Sequence, residues 1–279
     1  MKPELGLIPE ADLHCHTTAS DGILTPGELV KLASERGLKA IAVTDHDTIS
    51  GWSEAEISGS KFGLVILRGV ELNTVWEDKE VHILGYQLDS ESIITRERLA
   101  ELQLSRSKRI REILDKLKQI DIKIRFEDVL QFSRGESIGR PHVGQALVKH
   151  GYVTDIQEAF VRFLGLGAPA YVPRFKLDVG EGIRFIRESK GVAVLAHPGL
   201  QRLKESTIAS WVKEGLQGLE VFHSDHNSLH MEFYGKIARQ HNLIITGGSD
   251  FHGDNKPNAT LGKWGVSMDV VRQIKELGY

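Results

Sequence analysis

The chain has 279 residues, 41% of them apolar and 26% charged, with a formal net charge of −3. This balance is that of a folded globular protein and excludes a disordered chain and a generally basic nucleic-acid binder; no run approaches the ~20 apolar residues of a membrane span. A single cysteine, Cys15, leaves no intrachain disulfide, and the opening MKPELGLIPEADLHCH holds no apolar core of signal-peptide length, so a cytoplasmic protein is expected.

Taken in chain order, short apolar runs at 11–15, 39–44, 64–72, 81–86, 192–196, 218–222 and 243–247 read as strands. Several follow an amphipathic stretch closed by glycine: 28–36 before Gly37, 179–190 before Gly191, and 206–214 before Gly215. Glycine just past a helix, then an apolar run, marks repeating β/α units, and unbroken runs such as IAVT and VAVLA suit parallel strands covered on both faces. The stretch 50–63, where a helix of this series is due, contains Gly51, Gly59 and Gly63 with poor periodicity, so a short or irregular helix is expected there.

The rhythm breaks at 95–119, a long helical pattern carried by Leu99, Leu102, Ile110, Ile113, Leu114 and Leu117. A second helix opens on Pro141 and stops at Gly151; a third covers 155–164, capped by Thr154 or Asp155. The expected fold is α/β: a distorted (β/α)7-type, TIM-like barrel made of residues 1–88 and 171–279, with 89–170 inserted as a helical substrate lid.

Histidine and carboxylate residues gather where these strands end. His14 and His16 close the first strand; alternation sends both imidazoles one way and Cys15 the other. Asp21 follows in the next loop, Asp45 and His46 end the second strand, and Glu71 ends the third. His197, His223, Asp250 and His252 come directly after the last three. His82 is the exception, at the start of its strand, which requires that strand either to run antiparallel or to carry the side chain inward. Loops after the strands of a β/α barrel converge on one face. Imidazole with carboxylate suits Zn, Mn or Fe, and His14, His16, Asp21, His46, Glu71, His82, His197, Asp250 and His252 are too many for one ion and fit two or three. His150, His226, His230 and His241, in helices or their flanks, are read as structural, as is Cys15.

These residues stand in DLHCHTTASDG, TDHD, GVE, AHPG and GSDFH, an ordered set that resembles the PHP (polymerase and histidinol phosphatase) family from residue 11 to about 262. The resemblance implies a distorted, often seven-stranded β/α barrel with a trinuclear metal centre. Carried over, His14, His16, Glu71 and Asp250 hold one metal; Glu71 bridges to a second held by His82 and His197; Asp21, His46 and His252 hold the third. Within the family, SIGRPH and PAYVP resemble a bacterial subgroup of stand-alone phosphoesterases that act on nucleoside 3′,5′-bisphosphates or trim short RNA from its 5′ end; the irregular 50–63 stretch departs from that subgroup's usual helix.

Clustered divalent ions lower the pKa of a bridging water and stabilise phosphoryl charge, so a metal-bound hydroxide is the expected nucleophile. Asp250 is the candidate for proton handling, with His223 as the alternative or as a phosphate ligand. Arg140 and His142 flank Pro141 at a helix N-terminus, a place that favours anions, and are the candidate substrate-binding pair. From Arg96 to Arg125 ten Lys/Arg stand against five Asp/Glu, and SRSKRIR within it reads first as a solvated face. The expected ligand is a small phosphorylated molecule, a nucleotide or short oligonucleotide, with no membrane and no obligate protein partner implied. Rival readings are a histidinol-phosphate or other small-metabolite phosphatase, an amidohydrolase, since HxH also marks those barrels, and a non-catalytic PHP module of a polymerase.

Overall fold

The computed structural model describes residues 9–77, 79–133, 137–173, 177–256 and 258–278; residues 1–8, within the stretch read for a signal segment, lie outside the described residues. In chain order come β1 (Ala11–Cys15), α1 (Pro26–Glu35), β2 (Ala40–Val43), α2 (Trp52–Phe62), β3 (Val65–Trp76) and β4 (Lys79–Tyr86). Next come α3 (Ile93–Gln119), α4 (Phe126–Leu130), α5 (Arg140–Lys149) and α6 (Ile156–Ala159), which runs on as a π-helical turn over Phe160–Leu164. The chain then resumes its alternation with α7 (Val179–Glu188), β5 (Val192–Leu195), α8 (Glu205–Lys213), β6 (Gly218–His223), α9 (Ser228–Gln240), β7 (Ile244–Gly248) and α10 (Met268–Leu277).

The strands form one seven-stranded sheet in sequence order, β1 to β7. The β1–β2, β2–β3, β5–β6 and β6–β7 pairs are parallel, whereas β4 runs antiparallel to both β3 and β5. The sheet curls until its ends nearly meet. Phe251, just past β7, bridges Cys15 in parallel, accepts from His16 N–H at 2.9 Å and donates to the His14 carbonyl at 3.3 Å. The approach requires glycine at 248, where a Cβ would lie 2.3 Å from His14 Cβ. The fold is thus the expected α/β architecture, a nearly closed barrel-shaped sheet.

Three differences from the sequence reading have physical causes. First, β3 and β4 extend beyond 64–72 and 81–86 into a hairpin, because their distal ends pair with each other from Thr74↔Val81 to Trp76↔Lys79. Helices still pack against this ribbon, Trp76 lying edge-on to Trp211 of α8 and Thr74 against Gly182 of α7, but Asn73, Thr74, Lys79 and Glu80 break the continuous apolar run that marks a covered strand. Second, 50–63 holds a regular helix, α2, not an irregular one. Trp52, Ala55 and Gly59 form its buried stripe, and a Cβ at Gly59 would strike Ile66 at 2.6 Å, so the glycine that weakens the pattern is a packing requirement. Gly63 ends the helix at φ 69°. Third, the 155–164 helix changes character midway, with Asp155 capping it through the Glu158 N–H.

Apolar packing divides the molecule. Cys15, Ile41, Val43, Leu72 and Ile83 face outward into a core shared with Leu29, Val30, Ile183 and Ile186 of the surrounding helices. Leu13, Leu67, Leu84 and Val194 face inward, in one cluster with Val271 and Ile274 of α10. Residues 110–172 hold a separate core of their own, including Ile113, Leu117, Val143, Leu147 and Leu164. Each fully buried side chain of this kind contributes about 1.5–3 kcal/mol.

Candidate metal centre

Strand ends deliver the cluster. β1 carries His14, and His16 follows directly after it, with a register shift between Asp12 and Cys15 that re-aims the strand's end. Asp21 and His46 lie in the loops after β1 and β2, Glu71 is within β3, and His82 is within β4 directly opposite Asn73. The antiparallel course of β4 thereby brings His82 to the same end as the others. His197, Asp250 and His252 follow β5 and β7. His197 and Asp250 adopt φ values of 26° and 54°, a region L-residues rarely occupy, which turns both side chains back over the barrel.

Glu71 is the centre of the arrangement. Its Oε2 lies 3.3 Å from His14 Nε2, 3.1 Å from His16 Nε2 and 3.1 Å from His46 Nδ1. Its Oε1 lies 2.8 Å from His82 Nδ1 and 3.1 Å from His197 Nε2. Asp250 Oδ1 meets His14, His16 and His252 at 3.5, 3.2 and 3.4 Å, and Asp21 Oδ1 meets His252 Nε2 at 3.3 Å. Donor atoms mutually within 4.8 Å fall into sets: His14, His16, Glu71 and Asp250; His16, Asp21, His46 and His252; and His46, Glu71 and His82. A further set, His14, Glu220 and His223, is better read as a support. Glu220 is already engaged, with Oε1 on His14 Nδ1 at 3.0 Å and Oε2 accepting His197 N–H at 2.8 Å.

Hydrogen bonds to one ring nitrogen decide what the other can do. With Nδ1–H on Glu220, His14 turns its Nε2 to the cluster. His252 does the same, its Nδ1 donating to the Asp250 carbonyl at 2.9 Å. His223 is the reverse: Nδ1 accepts Asp225 N–H at 3.1 Å, so the neutral ring carries its proton on Nε2.

Buried atoms without hydrogen-bond partners collect here: His14 Nε2, both nitrogens of His16, Asp21 Oδ1, His82 Nε2, His197 Nδ1 and His223 Nε2. Folded proteins leave few such atoms, and this many in one place fit divalent ions of the nitrogen–oxygen class. The electrostatics agree. Burial opposes ionisation of Glu71, yet His46, His14 and His82 hold it well below the usual carboxylate range. Burial likewise opposes charge on His16, but Asp250 and Glu71 lift it to about 10.

Further supports are Asp12, Asp47 and Arg106, which the sequence reading passed over, and Asp45, which it placed at the end of the second strand. Asp12 accepts the His14, Ser249 and Gly262 N–H groups, tying β1 to the segments after β7. Asp45 accepts Thr17 and Ser20 and braces the loop carrying Asp21. Asp47 holds Asn73, whose side-chain nitrogen lies 3.2 Å from His46 Nδ1, and accepts Arg106 Nε at 2.6 Å. Arg106 comes from the basic run in α3; it turns inward beside a small cavity lined by Asn73, Ser105, Arg109 and Gly139, with Nη2 buried and unpartnered. No local signal marks it, because only the packing of α3 over the mouth distinguishes it from its solvated neighbours.

Arg140 and His142 are engaged within the protein. Arg140 pairs with Glu80 of β4 at 3.1 Å, donates to the Leu164 carbonyl at 3.3 Å and stacks over Phe160 and Tyr171. His142 accepts Gly139 N–H at 3.0 Å on Nδ1, meets the Ser20 backbone, and is 2% exposed. His226, read as structural, is saturated too: Nδ1 donates to Val221 O and Nε2 accepts Gly199 N–H.

Fold and site together define a barrel hydrolase that works with divalent metal ions. The PHP domain family model matches residues 12–166. The chain is 34% identical over 249 residues to a 5′-3′ exoribonuclease of Haemophilus influenzae, covering 86% of this chain and 89% of that one. It is 32% identical over 256 residues to a 3′,5′-nucleoside bisphosphate phosphatase of Chromobacterium violaceum, covering 90% of each. A crystal structure described as a metal-dependent phosphoesterase, from Bifidobacterium adolescentis, superposes with a TM-score of 0.90 at 35% identity over 96% of both chains. The chain belongs to the PHP family and is a metal-dependent phosphoesterase. No helix among the described residues is long and apolar enough to cross a membrane.

Proposed function

We propose that this enzyme hydrolyses phosphate esters of nucleotides bearing a second phosphate, namely nucleoside 3′,5′-bisphosphates or the 5′ ends of short RNA, with two or three Mn, Zn or Fe ions. The relatives named for these two substrates support the reading. One ion suits His14, His16, Glu71 and Asp250, a second suits Glu71 with His82 and His197, and a third suits Asp21, His46 and His252. Divalent ions in such sets neutralise phosphoryl oxygens and lower the pKa of coordinated water. Glu71, with its two oxygens facing different histidines, is the shared ligand. Asp250 remains the candidate for proton handling, and residues 89–170 act as the lid.

The observation that carries the substrate class is Arg106. Its Nε is fixed by Asp47 while Nη2 stays buried without a partner at the cavity beside the His46 loop. A guanidinium so placed suits a second phosphate, through charge-assisted hydrogen bonds. Arg140, held by Glu80, does not need a ligand to be satisfied. A histidinol phosphate or other monophosphate leaves Arg106 unused, which weighs against a small-metabolite phosphatase.

Turnover of nucleoside 3′,5′-bisphosphates, 5′-phosphorylated dinucleotides, histidinol phosphate and p-nitrophenyl phosphate by wild type and Arg106→Ala tests this. Losing one charge-assisted contact of about 1.5–3 kcal/mol lowers kcat/KM roughly ten- to more than a hundredfold on substrates with two phosphates. p-Nitrophenyl phosphate turnover and metal content are expected to change little. Preference for histidinol phosphate by the wild type, or equal losses on every substrate, overturns the reading.

A further inference from the structure

At the β6–β7 side of the centre, an ammonium and an imidazole nitrogen lie beside one carboxylate oxygen that faces away from most of the histidines. Asp250 gives Oδ1 to His14, His16 and His252. Its Oδ2 accepts Lys256 Nζ at 2.6 Å and lies 3.4 Å from His223 Nε2. Lys256 also reaches Asp225 Oδ2 at 2.9 Å, so carboxylates from the loops after β6 and β7 clamp one ammonium. An ammonium has three donors, and two are engaged by these oxygens. The third has no partner among the described residues, and the side chain keeps 27% exposure, open to a ligand. His223 contributes the second donor. Its ring is fully buried, Nε2 has no hydrogen-bond partner, and the Asp225 N–H on Nδ1 fixes the proton on Nε2.

We propose that Lys256 and His223 form the leaving-group pocket of the phosphoesterase, a pair of N–H donors for the ester oxygen that departs from phosphorus. The assignment rests on phosphate-ester hydrolysis at this centre and is independent of which nucleotide is cleaved. Histidines and carboxylates suited to ions lie on the Oδ1 side, whereas Oδ2 has only N–H groups around it. Ions neutralise phosphoryl oxygens, but an ester oxygen that leaves with an electron pair is stabilised by directed hydrogen bonds and nearby positive charge. In the step, the oxygen of water forms the new bond to phosphorus. The P–O ester bond breaks with its electron pair passing to the ester oxygen, held between Lys256 Nζ and His223 Nε2. One hydrogen of the attacking water stays with the phosphate product, and the leaving oxygen gains the other by exchange with solvent. His223 holds this oxygen without protonating it, because loss of its Nε2 proton would leave an imidazolate.

Lys256→Met keeps the length of the side chain and removes the charge. Measured on substituted phenyl phosphates and an alkyl phosphate, its loss in kcat/KM is expected to grow as the leaving group worsens. A loss of roughly tenfold is expected for p-nitrophenyl phosphate, whose leaving oxygen needs little help, and of several hundredfold for the alkyl ester, as for removal of one preorganised donor. Lys256→Arg is expected to recover part of the alkyl activity. Metal stoichiometry by elemental analysis, and the affinity of the metal-free protein for Mn²⁺, are expected to match wild type. Equal losses across the series overturn the proposal, since a leaving-group contact must discriminate. Loss of metal in step with activity also overturns it, making Lys256 a holder of Asp250. Because the series contains no nucleotide, failure of the nucleotide reading leaves its outcome unchanged.

Discussion

The barrel mouth and the helical segment 89–170 treat their buried histidines in opposite ways. In the insertion, His142 has Gly139 and the Ser20 backbone as partners, and Arg140 has Glu80, a carbonyl and two aromatic rings. At the mouth, His14, His16, His82, His197 and His223 each keep a buried nitrogen with none. An unmet buried polar group costs about 1–3 kcal/mol, so a fold retains several together only where a ligand offsets the cost. The contrast teaches that burial of a histidine is no sign of function; several unanswered nitrogens gathered around shared carboxylates are. Arg106 belongs to the segment 89–170 by sequence and joins the mouth through its bond to Asp47 beside His46.

The largest expected effect comes from His14. Its replacement by Ala removes the imidazole that meets both Glu71 and Asp250, and kcat/KM is expected to fall roughly a thousandfold or more, with metal content falling alongside. Full activity in a His14→Ala protein stripped by chelation would erase the distinction between the two regions.

Metal uptake sharpens it next. Carboxylates hold His14 and His16 protonated well above the ordinary imidazole range, His16 to about 10, while Glu71 and Asp250 are already ionised. Ions bound at this pair therefore displace protons from His14 and His16 and none from Glu71 or Asp250. Affinity is expected to rise with pH across the neutral range, about tenfold per unit for each proton displaced. Indicator-dye measurement of protons released on Mn²⁺ addition checks this, and uptake without proton release contradicts it.

Arg140 marks the smaller end. Arg140→Ala breaks a partly exposed ion pair and a stacked packing contact, so thermal unfolding is expected to show a loss of about 1–2 kcal/mol, with bisphosphate and p-nitrophenyl phosphate turnover reduced alike. A loss confined to the bisphosphate would return the second phosphate to Arg140. His241→Ala, at an exposed contact with Glu205, serves as the control and is expected to change neither metal content nor activity.

Much of this was legible along the chain. The strand-end positions of His14, His16, His46, Glu71, His197, Asp250 and His252 are local facts, because a strand's two-residue period and the loop after it set where each side chain emerges. His82 was legible only as a pair of alternatives, since strand direction is a property of pairing. Helix α2 was misjudged because Gly59 weakens the pattern through a contact with Ile66 that no window of sequence contains. Lys256 gave no signal at all; one lysine in a loop resembles any other until two carboxylates are found around it.

By itself, then, the sequence determined the alternation of strand and helix, the helical character of 95–119, and which imidazoles and carboxylates stand at strand ends. These follow from periodicity, capping and turn chemistry acting over a few residues. Only the tertiary structure decided which nitrogen of each histidine is free, that Glu220 supports His14 from 206 positions away, that Arg106 turns inward, and that Lys256 closes the β6–β7 edge. Those outcomes depend on hydrogen bonds and ion pairs between segments that closure of the barrel brings together, and distance along the chain carries no information about them.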